Sequence, residues 1–339
     1  MTNSKKKRVR KRPSASPPAR VRASSPADLL ALVPYLLGFR PEESLVVVLI
    51  RSGQVLLTAR IDLPPVSSHR EVTGQMADLA TQHSADAMVV FAYSEGAEPA
   101  KSLLSELIDG LTACGLIDAL YVDGHRWWSL MCTASCCPPE GTPFDPSTSQ
   151  LAAEAVFAGL GAAPARSSIE AQVRGPNATD LHRLSALGLD AERAHASLTQ
   201  EQRVQLMSAR VASFLAMPGP LGDDACAELA VLAVDVTVRD VAWAAMSRPD
   251  IDDHLDLWGQ VVARAVAPWE AAPLCLLGMA AWISGNGALQ NCCADRARRV
   301  HPGYSMTTLL DEINQRALPP SFWDLMAADM RGVAGVLAG

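Results

Sequence analysis

The segment Cys132-x3-Cys136-Cys137-Pro-Pro-Glu-Gly141 gathers three thiols just ahead of a Pro-Pro-x-Gly turn. Thiolates are preferred ligands of a soft cation, so zinc is one occupant such a cluster could take. Structural zinc sites open with two cysteines separated by two to four residues, and Cys132 with Cys136 sits at the edge of that spacing. Adjacent Cys136 and Cys137 do not easily chelate one ion together, so a fourth ligand must come from Cys114, His125 or the pair Cys292-Cys293. Two other readings stay open. One is redox chemistry, a disulfide or sulfenic acid at an exposed Cys136 or Cys137. The other is packing, with Cys132 a small hydrophobe and the loop a rigid turn.

Charged residues offer a second candidate. Arg40, Glu42 and Glu43 crowd the stretch Gly38-Phe-Arg-Pro-Glu-Glu-Ser44, and Asp62 closes Ala59-Arg-Ile-Asp-Leu-Pro64. Strand ends are where α/β proteins place functional groups, so Arg40, Glu42 and Asp62 form a candidate pocket. A surface salt-bridge cluster of small energetic value is the alternative. The turn Gly285-Asn286-Gly287 could cradle an anion with free amides, but no basic residue follows closely and a plain helix–helix turn accounts for it. Asp250, Asp252, Asp253, His254 and Asp256 gather where a helix begins, as capping and dipole compensation require. No G-x-S-x-G, H-E-x-x-H, dinucleotide fingerprint or EF-hand loop is present, so no reaction is named.

The elements that must hold these groups read as two kinds of structure. Leu29–Leu37 suits a short helix made irregular by Pro34, with Gly38 as its C-terminal cap residue. Runs at 45–50, 55–61, 87–93, 117–122 and 126–131 predict strands, with helices at 69–82 and 99–114 between them. Asp123-Gly124 signals a two-residue hairpin turn. That order, ββαβαββ, gives a mixed sheet covered by helices. Beyond about residue 150 the pattern is helical: 148–161, 176–186, 189–196, 199–216, 222–234, 237–247, 250–266, 270–284, 286–300, 304–316 and 320–337. The expected class is therefore α+β, an N-terminal α/β domain over 27–150, helix and linker over 151–175, and an all-helical domain over 176–339. Leu277-Gly278, Ala297 and Pro302, with Trp243-Ala244, Ala263 and Pro268 one period of 34 earlier, fit a tetratricopeptide-like hairpin. No third copy is visible, and ordinary hairpins packed as a bundle explain the same pattern.

Charge separates tail from body. Lys5, Lys6, Lys7, Arg8, Arg10, Lys11, Arg12, Arg20 and Arg22 face no acidic residue in the first 22, leaving 20 basic against 36 acidic groups beyond. Residues 1–26 read as a disordered basic tail able to touch nucleic acid only weakly and without sequence preference. The acidic body does not suit a DNA-reading domain. No long uncharged apolar window predicts a membrane span, and no apolar stretch follows the basic start as a secretory signal would need. A cytoplasmic location follows, in which the eight cysteines are thiols or metal ligands sooner than disulfides.

Three passages carry a family resemblance: Leu29 through Val48, Cys132 through Gly141, and Ala280 through Leu289 continuing by Pro302-Gly-Tyr304 to Pro319-Pro-Ser-Phe-Trp323. The chain resembles an actinobacterial family of domains of unknown function, DUF4192, over roughly residues 27–325. That resemblance implies no activity, substrate or catalytic residue. Function is therefore read from the missing catalytic signatures and the large helical half. The expectation is a non-enzymatic protein that binds another protein through its helical hairpins. The competing expectation is a small-molecule enzyme or sensor, with a site near Arg40, Asp62 and the Cys132–Cys137 loop. A third gives the lead to the basic tail, as a tether to nucleic acid through residues 5–12.

Overall fold

A computed structural model describes residues 23, 25–111, 115–134, 137–146, 149–157 and 160–327. The basic tail, Cys114 and Cys136 lie outside these residues. The chain opens with α1 (Pro26–Leu37), β1 (Ser44–Arg51), β2 (Gln54–Asp62), α2 (His69–Gln82) and β3 (Ala87–Tyr93). It continues with α3 (Ala97–Gly110), β4 (Gly115–Val122), β5 (Arg126–Ser129) and the short β6 (Thr142–Pro143). The six strands form one sheet in the order β2-β1-β3-β4-β5-β6, with β3 and β4 parallel and the other neighbours antiparallel.

Alternation along β1 explains the layers. Leu45, Val47 and Leu49 face Val72, Met76, Leu103, Leu104 and Leu107 of α2 and α3, whereas Val46 and Val48 face Leu29, Leu30 and Val33 of α1. Both sheet faces are covered, so β3 and the stretch of β1 from Leu45 to Ile50 are apolar, as expected of doubly buried strands. Ser25 caps α1, accepting from the Asp28 amide at 3.1 Å, and Gly38 ends it at φ +81°.

Ser52 (φ +53°) and Gly53 (φ +72°) make the two-residue turn between β1 and β2. At Asp123-Gly124 the structure differs from the two-residue turn expected there. Asp123 N donates to Arg126 O at 3.1 Å, so the turn centres one residue on, at Gly124-His125; only Gly124 takes a positive φ, and the Asp123 carboxylate accepts from the His125 and Arg126 amides.

The second half holds α4 (Gln150–Phe157), α5 (Arg166–Gln172), α6 (Leu181–His195), α7 (Gln200–Ala216), α8 (Asp223–Leu232) and α9 (Val236–Ala244). Then come α10 (Ile251–Val262), α11 (Ala271–Ser284), α12 (Gly287–Val300), α13 (Ser305–Gln315) and a final helical stretch from 322. α4 packs on α1, and α5, placed within the expected linker, packs on α12. A break between helices is expected near 187–188, but α6 runs through. Gly188 is buried inside it because the Trp269 ring occupies the space where a Cβ would stand, at 2.2 Å.

α11 is the axis of this half. Every residue from Ala271 to Ile283 is buried, so neighbours surround it on all sides. α10, α12 and α13 pack around it, and α9 packs on α7 and α11 instead of lying along α10. The arrangement is a bundle around a central helix, not a stacked array of tetratricopeptide-like hairpins.

The halves meet through Phe39. Its ring enters the helical core, its backbone bridges to Ala163, and the Ala163 amide donates to Gly38 O at 2.8 Å while Arg40 N donates to Ala163 O at 3.1 Å. Gln82 adds a side-chain bond to the Arg316 carbonyl at 2.6 Å. Among the described residues no helix is long and apolar enough to cross a membrane.

Candidate functional site

At the C-terminal end of the parallel pair β3 and β4, a residue beside Asp62 organises the charged groups. Arg60 sends Nη1 to Asp62 at 2.6 Å, Nε to the Ser44 hydroxyl at 2.8 Å and Nη2 to the Glu42 carbonyl at 3.5 Å, and lies over the Phe39 ring. Ser44 in turn donates to the Glu42 carbonyl. Glu42 and Asp62 are thus brought together, though through Arg60 and, for Glu42, by its backbone alone. The Arg40 side chain is exposed on the same loop. Glu43 takes φ +40°, a strained value for a side-chain-bearing residue, and its carboxylate accepts from the Ser94 hydroxyl at 2.8 Å and the Glu95 amide at 2.9 Å. These groups hold the loop to the sheet end.

The cysteine loop leaves β5, near the edge of the sheet opposite β2. Ser129 donates to the buried Asp118 carboxylate at 2.6 Å and accepts from the Met131 and Cys132 amides, ending the strand two residues earlier than expected. The loop then folds back under Trp128, whose Nε1 donates to Pro139 O at 3.0 Å, and Arg126 donates to Gly141 O at 2.8 Å. Cys137 packs against the α1-side core, and Cys132 is partly exposed. Four strand spacings separate β2 from β5, which puts Asp62 and this loop roughly 19 Å apart. Among the described residues no three His, Cys, Asp or Glu side chains group as a metal site, and completing the zinc set would require Cys136, which lies outside them.

The remaining sequence candidates have local roles. Asn286 caps α12, its Oδ1 accepting from the Leu289 amide at 3.0 Å, and Gly285 ends α11 at φ +86°. Asp252 and Asp253 occupy the first turn of α10, but Asp250 accepts from the Ser247 hydroxyl and makes no capping bond to the helix. His254 turns inward and is fully buried. Cys292 and Cys293 are buried as well, and burial pushes Cys226, Cys275 and Cys292 up to about 11 and Cys293 well above the usual thiol range. Such thiols stay protonated and unreactive.

One concave site has no counterpart in the sequence reading. A cleft of about 290 Å³ opens where the ends of α6, α7 and α8 meet, lined by Glu192, His195, Arg203, Val231, Asp235 and Trp269 among others. His195 is buried, with Nε2 3.5 Å from a Glu228 carboxylate that Arg210 also holds. Arg203 approaches Asp235 at 3.5 Å. His195 Nδ1 and Arg203 Nε are enclosed without a hydrogen-bond partner. Val234 and Val236 stand exposed beside it, 53% and 52%. These residues span nearly eighty positions with no shared spacing, which is why no sequence signal marks them.

The model of the family described as Domain of unknown function (DUF4192) matches residues 26–321. No curated protein and no solved structure matches the chain.

The residues that carry the resemblance are largely accounted for by packing. Gly38 and Phe39 join the halves, and Trp282 Nε1 donates to Leu318 O at 2.8 Å. Tyr304 accepts from buried Arg239 at 2.9 Å, and Trp323 stacks on Trp243 at 5.7 Å while donating to Met246 O. These contacts hold the fold; they do not outline a reaction centre.

Proposed function

The chain belongs to the DUF4192 family, and we propose that it acts as a non-enzymatic module that binds another protein through its helical half. The observation that carries this reading is the cleft at the end of α6, α7 and α8. Exposed Val234 and Val236 stand beside a lining in which Val231, Leu232 and Trp269 meet the charged Glu192, Arg203 and Asp235. An apolar shoulder beside a small cavity suits the anchoring side chain of a partner protein. The competing reading, an enzyme or sensor in the sheet half, requires Asp62 and the cysteine loop around one pocket. They stand toward opposite edges of the sheet, and the charged groups at the Asp62 end are engaged in holding the loop.

The proposed setting is the cytoplasm. There the basic tail, Lys5 through Arg12, would add a weak, salt-sensitive contact with nucleic acid. The test is affinity capture by the full chain at physiological salt, beside a Val234→Asp/Val236→Asp variant whose circular dichroism matches the parent. A partner held by the parent and lost by the variant is expected. Identical captures from both, or no specific partner from either, would overturn the proposal.

A further inference from the structure

We propose that residues 328–339 fold back over the cleft between α6, α7 and α8, seating Leu337 in it and covering Val234 and Val236, so that a partner must displace this segment to bind. This rests on the cleft being the protein-binding surface, and it gives that surface a competitor within the same chain.

Position carries the argument. Trp323 stacks on Trp243 at 5.7 Å and donates to Met246 O, which pins the final helical stretch to the C-terminal end of α9. The opposite end of α9 begins at Val236, beside the cleft, about 10 Å from Trp243 along the helix axis. Ala327, the last described residue, is buried in the same core as Trp323 and lies on the order of 20 Å from Val236. Glycine terminates helices, and Gly332 is the first glycine beyond Ala327. Helical residues to Gly332 and extended ones from there to Leu337 would cover about 25 Å.

Composition matches the lining. Val231, Leu232 and the buried Trp269 supply an apolar floor, and about 290 Å³ admits one aliphatic side chain, less than a drug-sized ligand needs. Val333, Val336 and Leu337 are aliphatic, and residues 332–339 carry no charged side chain. The lining holds charges of both signs, Glu192, Asp235 and Arg203. The basic run from Lys5 to Arg12 would set cations beside Arg203. A second copy docked about a two-fold axis would bring Glu192 and Asp235 against their own equivalents. An uncharged segment avoids both conflicts.

Tethering makes a weak contact sufficient. A short tether holds the segment at a local concentration on the order of 1 mM, so a Kd of about 0.1 mM would keep the cleft about nine-tenths covered.

The test places photoreactive p-benzoylphenylalanine at position 234 of the full chain, irradiates it at micromolar concentration and maps the linked peptides by mass. Links from position 234 to residues 328–339 of the same chain are expected. Val336→Asp/Leu337→Asp, with circular dichroism unchanged, should lower their yield about tenfold, because two apolar anchors are lost. Links to residues 1–22, links between two copies, links confined to neighbouring helices, or a yield unmoved by the double substitution would overturn the inference.

The two proposals fail separately. A partner captured by the parent and lost from the Val234→Asp/Val236→Asp variant, without links to residues 328–339, leaves protein binding standing and removes the cover. Links as expected, with no partner captured, do the reverse.

Discussion

Arg60 shows how one side chain can decide what its neighbours are for. Asp62 alone at a strand end looks like a candidate acid, but with Arg60 at 2.6 Å it becomes one arm of a clasp that also holds Ser44 and the Glu42 carbonyl. Gly141 plays the same kind of part in the cysteine loop. Its φ is +80°, and a Cβ there would lie 2.3 Å from the Trp128 ring. Gly141→Ala should therefore cost roughly 1–3 kcal/mol by strain and overpacking, read as a lowered urea midpoint. An unchanged midpoint would mean that the loop is not clamped by Trp128. The thiols give a second residue-scale expectation. Brief iodoacetamide treatment of the native protein near pH 7.5, followed by peptide mapping, should leave Cys226, Cys275, Cys292 and Cys293 unlabelled because burial keeps them protonated. Label at Cys292 or Cys293 before unfolding would contradict their burial within α12.

Among the elements, the loop between α1 and β1 does the most to join the molecule. Local signals mark its outline: Gly38 stops the helix, Pro41 prevents its return, and the apolar run begins at Leu45. No local signal marks that Phe39 leaves the sheet half and packs in the helical core. Truncating that ring removes a buried aromatic at the junction, so Phe39→Ala should cost roughly 3–5 kcal/mol in denaturant unfolding. A loss under about 1 kcal/mol would show that the junction is held elsewhere. α6 teaches the same lesson from the other direction. Gly188 reads as a break because glycine weakens a helix, yet the Trp269 ring packs where its side chain would be and the helix continues.

For the molecule as a whole, the helical half carries a buried ionisable group that should set its acid stability. His254 is fully buried, and burial pushes its pKa below the ordinary imidazole value, while the Ala245 carbonyl and the Asp250 and Asp253 carboxylates pull the other way. The unfolded chain binds the proton more readily. The contribution to stability is therefore complete above about pH 6.5 and is lost as pH falls from there through the lower folded-state value. Denaturation midpoints of the parent should drop more steeply between about pH 7 and 5 than those of His254→Leu. Parallel curves would assign the acid sensitivity to other groups.

The amino-acid sequence by itself determined the α+β class, most of the strand and helix positions, turn and cap residues such as Gly38, Ser52-Gly53 and Gly285, and the division into a sheet half and a helical half. Each depends on contacts a few residues apart, where periodicity and glycine or proline chemistry act directly. The tertiary structure alone decided that Asp62 and the cysteine loop stand toward opposite edges of one sheet, that α11 is the buried axis, and that His195, Arg203 and Trp269 share a cleft. The physical reason is distance along the chain. Strand order and helix packing are set by the summed burial of many remote apolar faces, and no local spacing records which of those faces will meet.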